Sequence, residues 1–322
     1  MKRVLVIVVT HNGLHWLDRC LGSVVPGAFG SVVPGAFEAP GAPGAPENDL
    51  PGANEASVAP DLYVWDNDST DGSADFVAAH FPAAKLVRSA ENLGFSIPNN
   101  KGIQYALDHG YDYVYLLNQD AWLEPGALAQ LVATAEAHPE YGLLSPLQMT
   151  DGYKELDRQF AKRLPVKPAM TSSASCPAPT GHLMEVPFVM AAHWLVPTRV
   201  IKRVGMLEEE LFPMWGQDDD YCARLDFCGL KIGVVKEARA VHDRAYREEP
   251  LEKLVLRNYY TGSLVRLVDP RRPLWERFLY VLLFTAVKAV KCRSLLPFKY
   301  LRKILGQLPL VKKHRKAIRT RI

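Results

Sequence analysis

Four clusters of polar residues stand where strand patterns end. They are Thr10-His11-Asn12 after Val4–Val9, Asp66 to Ser73 after Leu62–Trp65, Glu91 to Gly94 after Lys85–Arg88, and Asn118-Gln119-Asp120 after Tyr113–Leu117. In an open α/β sheet, ligands bind beyond the carboxyl ends of the strands, so four clusters in that register argue for a site. Each one alone is also ordinary turn and helix-cap chemistry, for which Asp, Asn, Ser and Gly are the usual residues. Asp120 closes a fully apolar strand. A carboxylate there either holds a hard cation such as Mg²⁺ or Mn²⁺ against a diphosphate or serves as a turn residue. Gln217-Asp218-Asp219-Asp220 sets three carboxylates just before and into a helix, beside Phe212 and Trp215. Acids favour a helix N-terminus electrostatically. A carboxylate with apolar neighbours and a second acid nearby also gains a raised pKa, which suits a general base. His242 follows an apolar strand and reads equally as a metal ligand or a satisfied surface histidine.

The elements that must position these residues alternate. A strand at Val4–Val9 leads to a helix at Leu14–Leu21, a strand at Leu62–Trp65 to a helix at Ser73–His80, and a strand at Lys85–Arg88 to a helix at Ile97–His109. A fourth strand, Tyr113–Leu117, precedes a helix from Pro125 to His138, with the proline suited to a first-turn position. That order is the pattern of a parallel sheet covered by helices. Between the first helix and the second strand, Ser23–Phe29 repeats directly as Ser31–Phe37. Pro/Gly/Ala-rich sequence then continues to Pro60. So much proline and glycine forms no regular core element, so residues 23–60 read as a surface insertion without an assigned function. Beyond Gly142 the alternation breaks down. Residues 151–185 read as a long loop over the site and Val186–Val196 as buried strand. Arg199–Val204 and Tyr221–Cys228 read as helices, and Lys231–Val235 as a last strand.

The 322 residues are 48% hydrophobic with a net charge of +3, which excludes a disordered chain. Five scattered cysteines without metal-ligand or redox spacing argue against a disulfide framework and for a cytoplasmic setting. The charge is unevenly spread. From Leu251 onward there are 18 Lys and Arg against three Asp and Glu, so this tail carries +15 and the first 250 residues −12. An apolar run, Phe278–Val287, lies among these cations and falls short of the ~20 residues that span a bilayer. It fits a helix lying on an anionic membrane surface, or equally a packed helix with a basic outer face. No nucleic-acid recognition module is present.

Val64-Trp65-Asp66-Asn67-Asp68-Ser69-Thr70-Asp71-Gly72-Ser73 resembles the nucleotide-binding signature of family 2 glycosyltransferases of the GT-A fold. Asn92-Leu93-Gly94-Phe95 with Asn100-Lys101-Gly102-Ile103 resembles their N-x-G-F…N-x-G-I stretch. Leu116-Leu117-Asn118-Gln119-Asp120-Ala121 resembles their L-L-N-P-D-T form of the metal motif, and Gly216 to Arg224 their G-E-D-x-D-L-C-x-R segment. The order and spacing match over residues 3–250, in the manner of the bacterial rhamnosyltransferase-like branch. The resemblance implies a GT-A α/β fold, with a mostly parallel central sheet flanked by helices, over residues 1–250 and a basic helical extension over 251–322. It implies an inverting, metal-dependent transfer of rhamnose or a similar hexose from a UDP- or dTDP-linked donor to a glycan or lipid-linked acceptor. Asp66 would meet the nucleobase. Thr10, Asn12, Asn67, Ser69, Asn92, Gly94, Phe95, Asn100, Asn118 and Trp215 would contribute to the nucleotide and substrate pocket. Asp120, with His242, would hold Mg²⁺ or Mn²⁺, and Asp218 would be the base. A membrane-linked acceptor would place the chain on the inner face of the plasma membrane. Gln119 stands where the family usually has proline and Gln217 where it has glutamate, and the acid run also allows Asp219 as the base.

Two other readings compete. A nucleotidyltransferase needs a glycine-rich, basic phosphate loop after the first strand, which Thr10-His11-Asn12-Gly13-Leu14 is not. A degenerate, membrane-associated nucleotide-sugar-binding protein has only Gln119 and Gln217 in its favour. An oxidoreductase lacks G-x-G-x-x-G after a strand.

Overall fold

The computed structural model describes residues 1–25, 58–151, 153, 155–165, 182–244 and 251–321. The chain opens with β1 (Lys2–Thr10), whose Val4–Val8 stretch is buried on both faces, as its unbroken apolar run requires. It continues through α1 (Leu14–Gly22), β2 (Val58–Asn67), α2 (Ser73–His80), β3 (Lys85–Ser89), α3 (Ser96–Asp108) and β4 (Tyr113–Asn118). Next come β5 (Ala121–Leu123), α4 (Ala127–Ala137), β6 (Tyr141–Met149), α5 (Arg158–Ala161), β7 (Leu183–Glu185) and β8 (His193–Pro197). Then follow α6 (Thr198–Val204), α7 (Gln217–Phe227) and β9 (Lys231–His242). The C-terminal part is helical: α8 (Leu251–Val268), α9 (Leu274–Cys292), α10 (Leu296–Gly306) and α11 (Leu308–Arg319). Of the 23–60 insertion, residues 26–57 lie outside the described residues, as do 166–181 of the loop expected over the site.

One sheet runs in the order β3-β2-β1-β4-β8-β6-β9-β5, with β7 also paired to β9. The first four strands are parallel, while β8 meets β4 and β6 antiparallel, so the sheet is mixed beyond β4. Val4, Val6 and Val8 face α1, α2 and α4 in one core, and Leu5 and Ile7 face α3, α6 and α7 in another. A third core joins Leu211 and Phe212 to Tyr259, Leu267, Val281, Ile304 and Val311 of the C-terminal helices.

Several expectations from the sequence need correction. Helix α4 starts after Gly126, so Pro125 precedes the helix instead of opening it. Strand β6 was not expected, because Ser145, Pro146 and Gln148 interrupt its apolar run. The structure buries Ser145 and Gln148 together, with Gln148 Nε2 donating to Ser145 Oγ at 3.3 Å, and shifts register beside Pro146. The short β5 was also not expected. The stretch 186–192 is only partly buried and irregular, with Pro187 exposed, and only His193–Pro197 of the expected strand is extended. Helix α7 begins four residues earlier than expected, at Gln217. Strand β9 extends past Val235 through alternating Glu237, Ala238, Arg239 and Ala240, so His242 is its last residue and lies in the sheet.

Candidate active site

Parallel pairing sets Thr10 opposite Asp66, Val9 opposite Asn118 and Asn67 opposite Ser89. The polar clusters therefore share one sheet edge, on strands about 4.8 Å apart. Gln119 sews the ends of β4 and β1 together. Its Oε1 accepts from Thr10 Oγ1 at 2.9 Å and from the His11 N–H at 2.8 Å, while Nε2 donates to the His11 carbonyl at 3.3 Å. The glutamine in the proline position thus supplies bonds that proline cannot make.

Much of the Asp66–Ser73 loop is spent on its own architecture. Asp71 accepts from the Ser73 N–H and hydroxyl and from the Leu14 N–H, capping α2 and α1 at once. Burial pushes the Asp71 carboxyl up, but the Ser73 hydroxyl and the backbone N–H groups outweigh it and hold it below the usual range. The Asn12 N–H donates to Ser69 Oγ at 3.0 Å, and Asn12 Oδ1 accepts from the Thr70 N–H at 2.8 Å. The Asn67 amide is fully engaged. It donates to Asn92 Oδ1 and the Gly94 carbonyl, and accepts from the Leu93 N–H. Asp66 differs. It is 4% exposed, and Oδ2 accepts from the Ser69 N–H at 3.3 Å. Its buried Oδ1 has no hydrogen-bond partner among the described residues. A buried carboxylate oxygen left this way costs about 1–3 kcal/mol and suits a donor brought by a ligand.

The loop containing Asn92 and Gly94 carries the connection to α7. Gly94 has φ +81°, and a Cβ there would lie 2.5 Å from the Pro213 carbonyl oxygen, so a side chain is excluded twice over. That carbonyl accepts from the Phe95 and Ser96 N–H groups at 2.6 and 3.0 Å. Trp215, 51% exposed, follows, and Gly216 (φ +95°) turns the chain into α7. Asp218, Asp219 and Asp220 occupy the first helical turn. Burial, then the Asp219 charge, pushes the Asp218 carboxyl up to about 7, against the Asp219 N–H that its Oδ1 accepts and the nearby Arg163. Asp219 is also raised by burial, with Arg163 and Arg266 pulling it back. Asp220 goes the other way. Burial pushes it up, but Arg224 and His314 hold it below the usual range. Asn100, buried on α3, is turned to the loop after α6. It donates to the Leu207 carbonyl and Glu209 Oε2 and accepts from the Leu207 N–H.

Asp120 and His242 meet because β5 and β9 pair antiparallel with Ala121 opposite His242. Asp120 Oδ1 lies 3.5 Å from His242 Nε2, and both residues are buried at 4% exposure. Among the described residues no group of three or more His, Cys, Asp and Glu side chains could hold a metal ion. One carboxylate oxygen and one imidazole nitrogen still fit Mg²⁺ or Mn²⁺, which commonly take few protein donors and complete their shell with phosphates and water. Behind them His193 is fully buried between the Tyr115 hydroxyl and the Val241 carbonyl. Burial lowers its pKa to about 3 and keeps the ring neutral. Reading the sequence missed His193, Arg163 and Arg266. The lone polar residue in Ala191-Ala192-His193-Trp194-Leu195 was a usable signal for the first, whereas nothing local marks the two arginines.

Residues 59–166 match the family model described as glycosyl transferase family 2. An N-acetylglucosaminyl-diphospho-decaprenol L-rhamnosyltransferase of Mycobacterium tuberculosis is 25% identical over 244 residues, covering 67% of this chain and 76% of its own. Among solved structures, a mannosyltransferase from Pyrobaculum calidifontis in complex with GDP-Man and Mn²⁺ superposes with a TM-score of 0.53 at 17% identity, covering 100% of this chain and 84% of its own. S. aureus TarS 1–349 in complex with UDP-GlcNAc gives 0.52 at 14% identity, over 87% and 70%. The two structural likenesses show the GT-A fold.

Proposed function

We propose that this chain, a glycosyltransferase by its match to the glycosyl transferase family 2 model and to a rhamnosyltransferase relative, transfers rhamnose or a similar hexose, with inversion, from a UDP- or dTDP-linked donor. The acceptor is a hydroxyl of a glycan or lipid-linked sugar in cell-surface polysaccharide synthesis. The observation that carries this reading is Asp218. It is a partly accessible carboxyl with a raised pKa in the first turn of α7, five residues after Pro213, whose carbonyl accepts from the Phe95 and Ser96 N–H groups that follow the Asn92–Gly94 loop.

Asp218 takes the proton of the acceptor hydroxyl as that oxygen bonds to the anomeric carbon. The bond from that carbon to the nucleoside diphosphate breaks on the opposite face, so no enzyme nucleophile is needed. Asp66 Oδ1 accepts from a base N–H, which uracil and thymine both present at N3, in keeping with UDP or dTDP. Thr10, Asn12, Asn67 and Ser69 shape that pocket from the β1 and β2 ends, with Asn118 beside them. The Phe95 N–H holds the Pro213 carbonyl beside it, with Asn92 and Gly94 shaping the same loop; Asn100 steadies the loop after α6, and the exposed Trp215 ring offers a face to a sugar. Asp120 and His242 would hold Mg²⁺ or Mn²⁺, which would offset the negative charge growing on the leaving diphosphate.

Residues 1–250 act in this reading as the transferase domain and 251–322 as a membrane-facing extension of a cytoplasmic enzyme. No helix among the described residues is long and apolar enough to cross a membrane. Helix α9 buries Val281 and Thr285 but exposes Trp275, Leu279, Leu283, Val287 and Val290 on its opposite side, with exposed Lys291 and Arg293 at its end. An apolar outer stripe beside cations suits the headgroup region of an anionic bilayer. A lipid-linked acceptor is also what the M. tuberculosis relative is named for. Calorimetric titration with UDP and dTDP, each with and without Mn²⁺, tests the reading. Metal-dependent binding of one nucleotide, weakened in Asp120→Ala, is expected. Binding of neither to folded protein overturns it.

A further inference from the structure

We propose that the C-terminal helix α11 is part of the catalytic apparatus, with His314 a positioning residue that fixes the first turn of α7, and with it Asp218, against the sheet edge. The inference rests on Asp218 being the base. His314 stands between two segments that enter the site. Its Nε2 meets Asp220 Oδ1 at 2.8 Å, and its Nδ1 meets Glu208 Oε2 at 2.8 Å. Asp220 is 1% exposed and also accepts from Arg224 Nε at 2.9 Å, while Arg224 Nη1 donates to the Val204 carbonyl. The α7 turn is thereby held from α6 on one side and from α11 on the other. Glu208 Oε1 accepts from the Glu210 and Leu211 N–H groups, shaping the turn that leads to Phe212, Pro213 and Trp215. One imidazole therefore clasps both ends of the 208–220 segment.

Three features make this a device for position and not only for adhesion. Burial lowers the His314 pKa, but Asp220 and Glu208 outweigh it and raise it to about 9, so the bridge is charged at neutral pH. A buried charged bridge is an expensive way to join two surfaces that apolar packing would join as well, but its hydrogen bonds fix direction and register. Shape alone does not set the register beside it: a groove of about 250 Å³, open to solvent and lined by Asn100, Met206, Glu209, Lys313, His314 and Arg321, runs between α11 and the body, so the hydrogen bonds share in setting it. Lastly, α11 is itself anchored next door. Arg315 is buried and donates to the carbonyls of Leu267, Asp269 and Arg272 at the α8–α9 turn.

The test compares His314→Ala, His314→Gln and Asp218→Asn in the full-length chain. Steady-state transfer is measured together with calorimetric donor affinity and stoichiometry. His314→Ala is expected to lower kcat at least tenfold, with donor Kd within twofold and stoichiometry near one. His314→Gln, which still donates to one carboxylate, is expected to recover part of that loss. A folded His314→Ala with the kcat of the original chain overturns the proposal. So does a parallel loss of kcat and donor stoichiometry, or a His314→Gln chain that fails to fold, since each assigns the bridge to folding alone. Asp218→Asn separates the two ideas. If it retains transfer, the assignment of the base fails; if it is inactive while His314→Ala is unaffected, only the positioning role fails.

Discussion

The Asp66–Ser73 turn and the Gln217–Asp220 turn are both acidic, and both run through a left-handed glycine into a helix, Gly72 (φ 90°) before α2 and Gly216 (φ 95°) before α7. Their carboxylates nevertheless end in opposite states. Asp71 lies exposed among N–H donors from two helices and is held low. Asp218 gains one N–H bond, loses most of its water and faces Asp219, so its pKa rises. Within the second turn the contrast recurs two residues on, where Arg224 and His314 pull Asp220 down. Placement at a helix N-terminus favours ionisation in both segments. The difference lies in how many donors and cations reach each carboxylate for the burial it suffers.

The largest effect that can break this comparison is in catalysis. Asp218→Asn is expected to lower kcat by about 10²–10⁴ with donor affinity preserved, the usual range for a general base. Asp71→Asn, whose carboxylate only caps helices, should stay within a few-fold, and steady-state transfer assays on both decide. The pH profile is next. Asp218 must be ionised to accept a proton, so log kcat should rise with slope one below pH about 7 and level off above it. A profile flat from pH 5 to 8 would remove Asp218 from the role.

Stability gives the smallest and sharpest contrast, read by urea unfolding at pH 5 and pH 8. Asp71 has its folded pKa depressed, so its contribution is present at both values and is lost only as pH falls below its unfolded value and through its folded one. Asp71→Ala should therefore cost about 1 kcal/mol, the usual value of a cap. Asp218 has its folded pKa raised, so the ionised form opposes folding increasingly as pH climbs from the unfolded value toward about 7. Asp218→Asn should therefore raise stability, and by more at pH 8 than at pH 5. A loss of stability at both values would contradict the burial argument.

The parts of this molecule that were legible in advance are those built from neighbours in the chain. The first four strands and their helices follow from apolar runs and periodicity, and the polar clusters fell at strand ends as parallel packing demands. Helix α2 was anticipated to the residue, and in the structure its first N–H, that of Ser73, donates to Asp71 two positions before. Strand β6 was not legible, since Ser145, Pro146 and Gln148 interrupt its apolar run, and only the register shift and the Gln148–Ser145 bond accommodate them in the sheet. His242 gave no local sign that it pairs across from Ala121 beside Asp120.

Composition, period and motif order determined that a parallel α/β half carries polar groups at its carboxyl edge, because those features depend on contacts a few residues apart. Which carboxylate is raised and which is lowered was decided only by the tertiary structure. Asp218, Asp219 and Asp220 are chemically identical neighbours in the sequence. They part company because Asp220 meets a helix that begins 88 residues later, at Leu308, whereas Asp218 and Asp219 face each other with the cations Arg163 and Arg266 nearby. Charge states are set by distance and water access in space, and the linear chain specifies neither until it has folded.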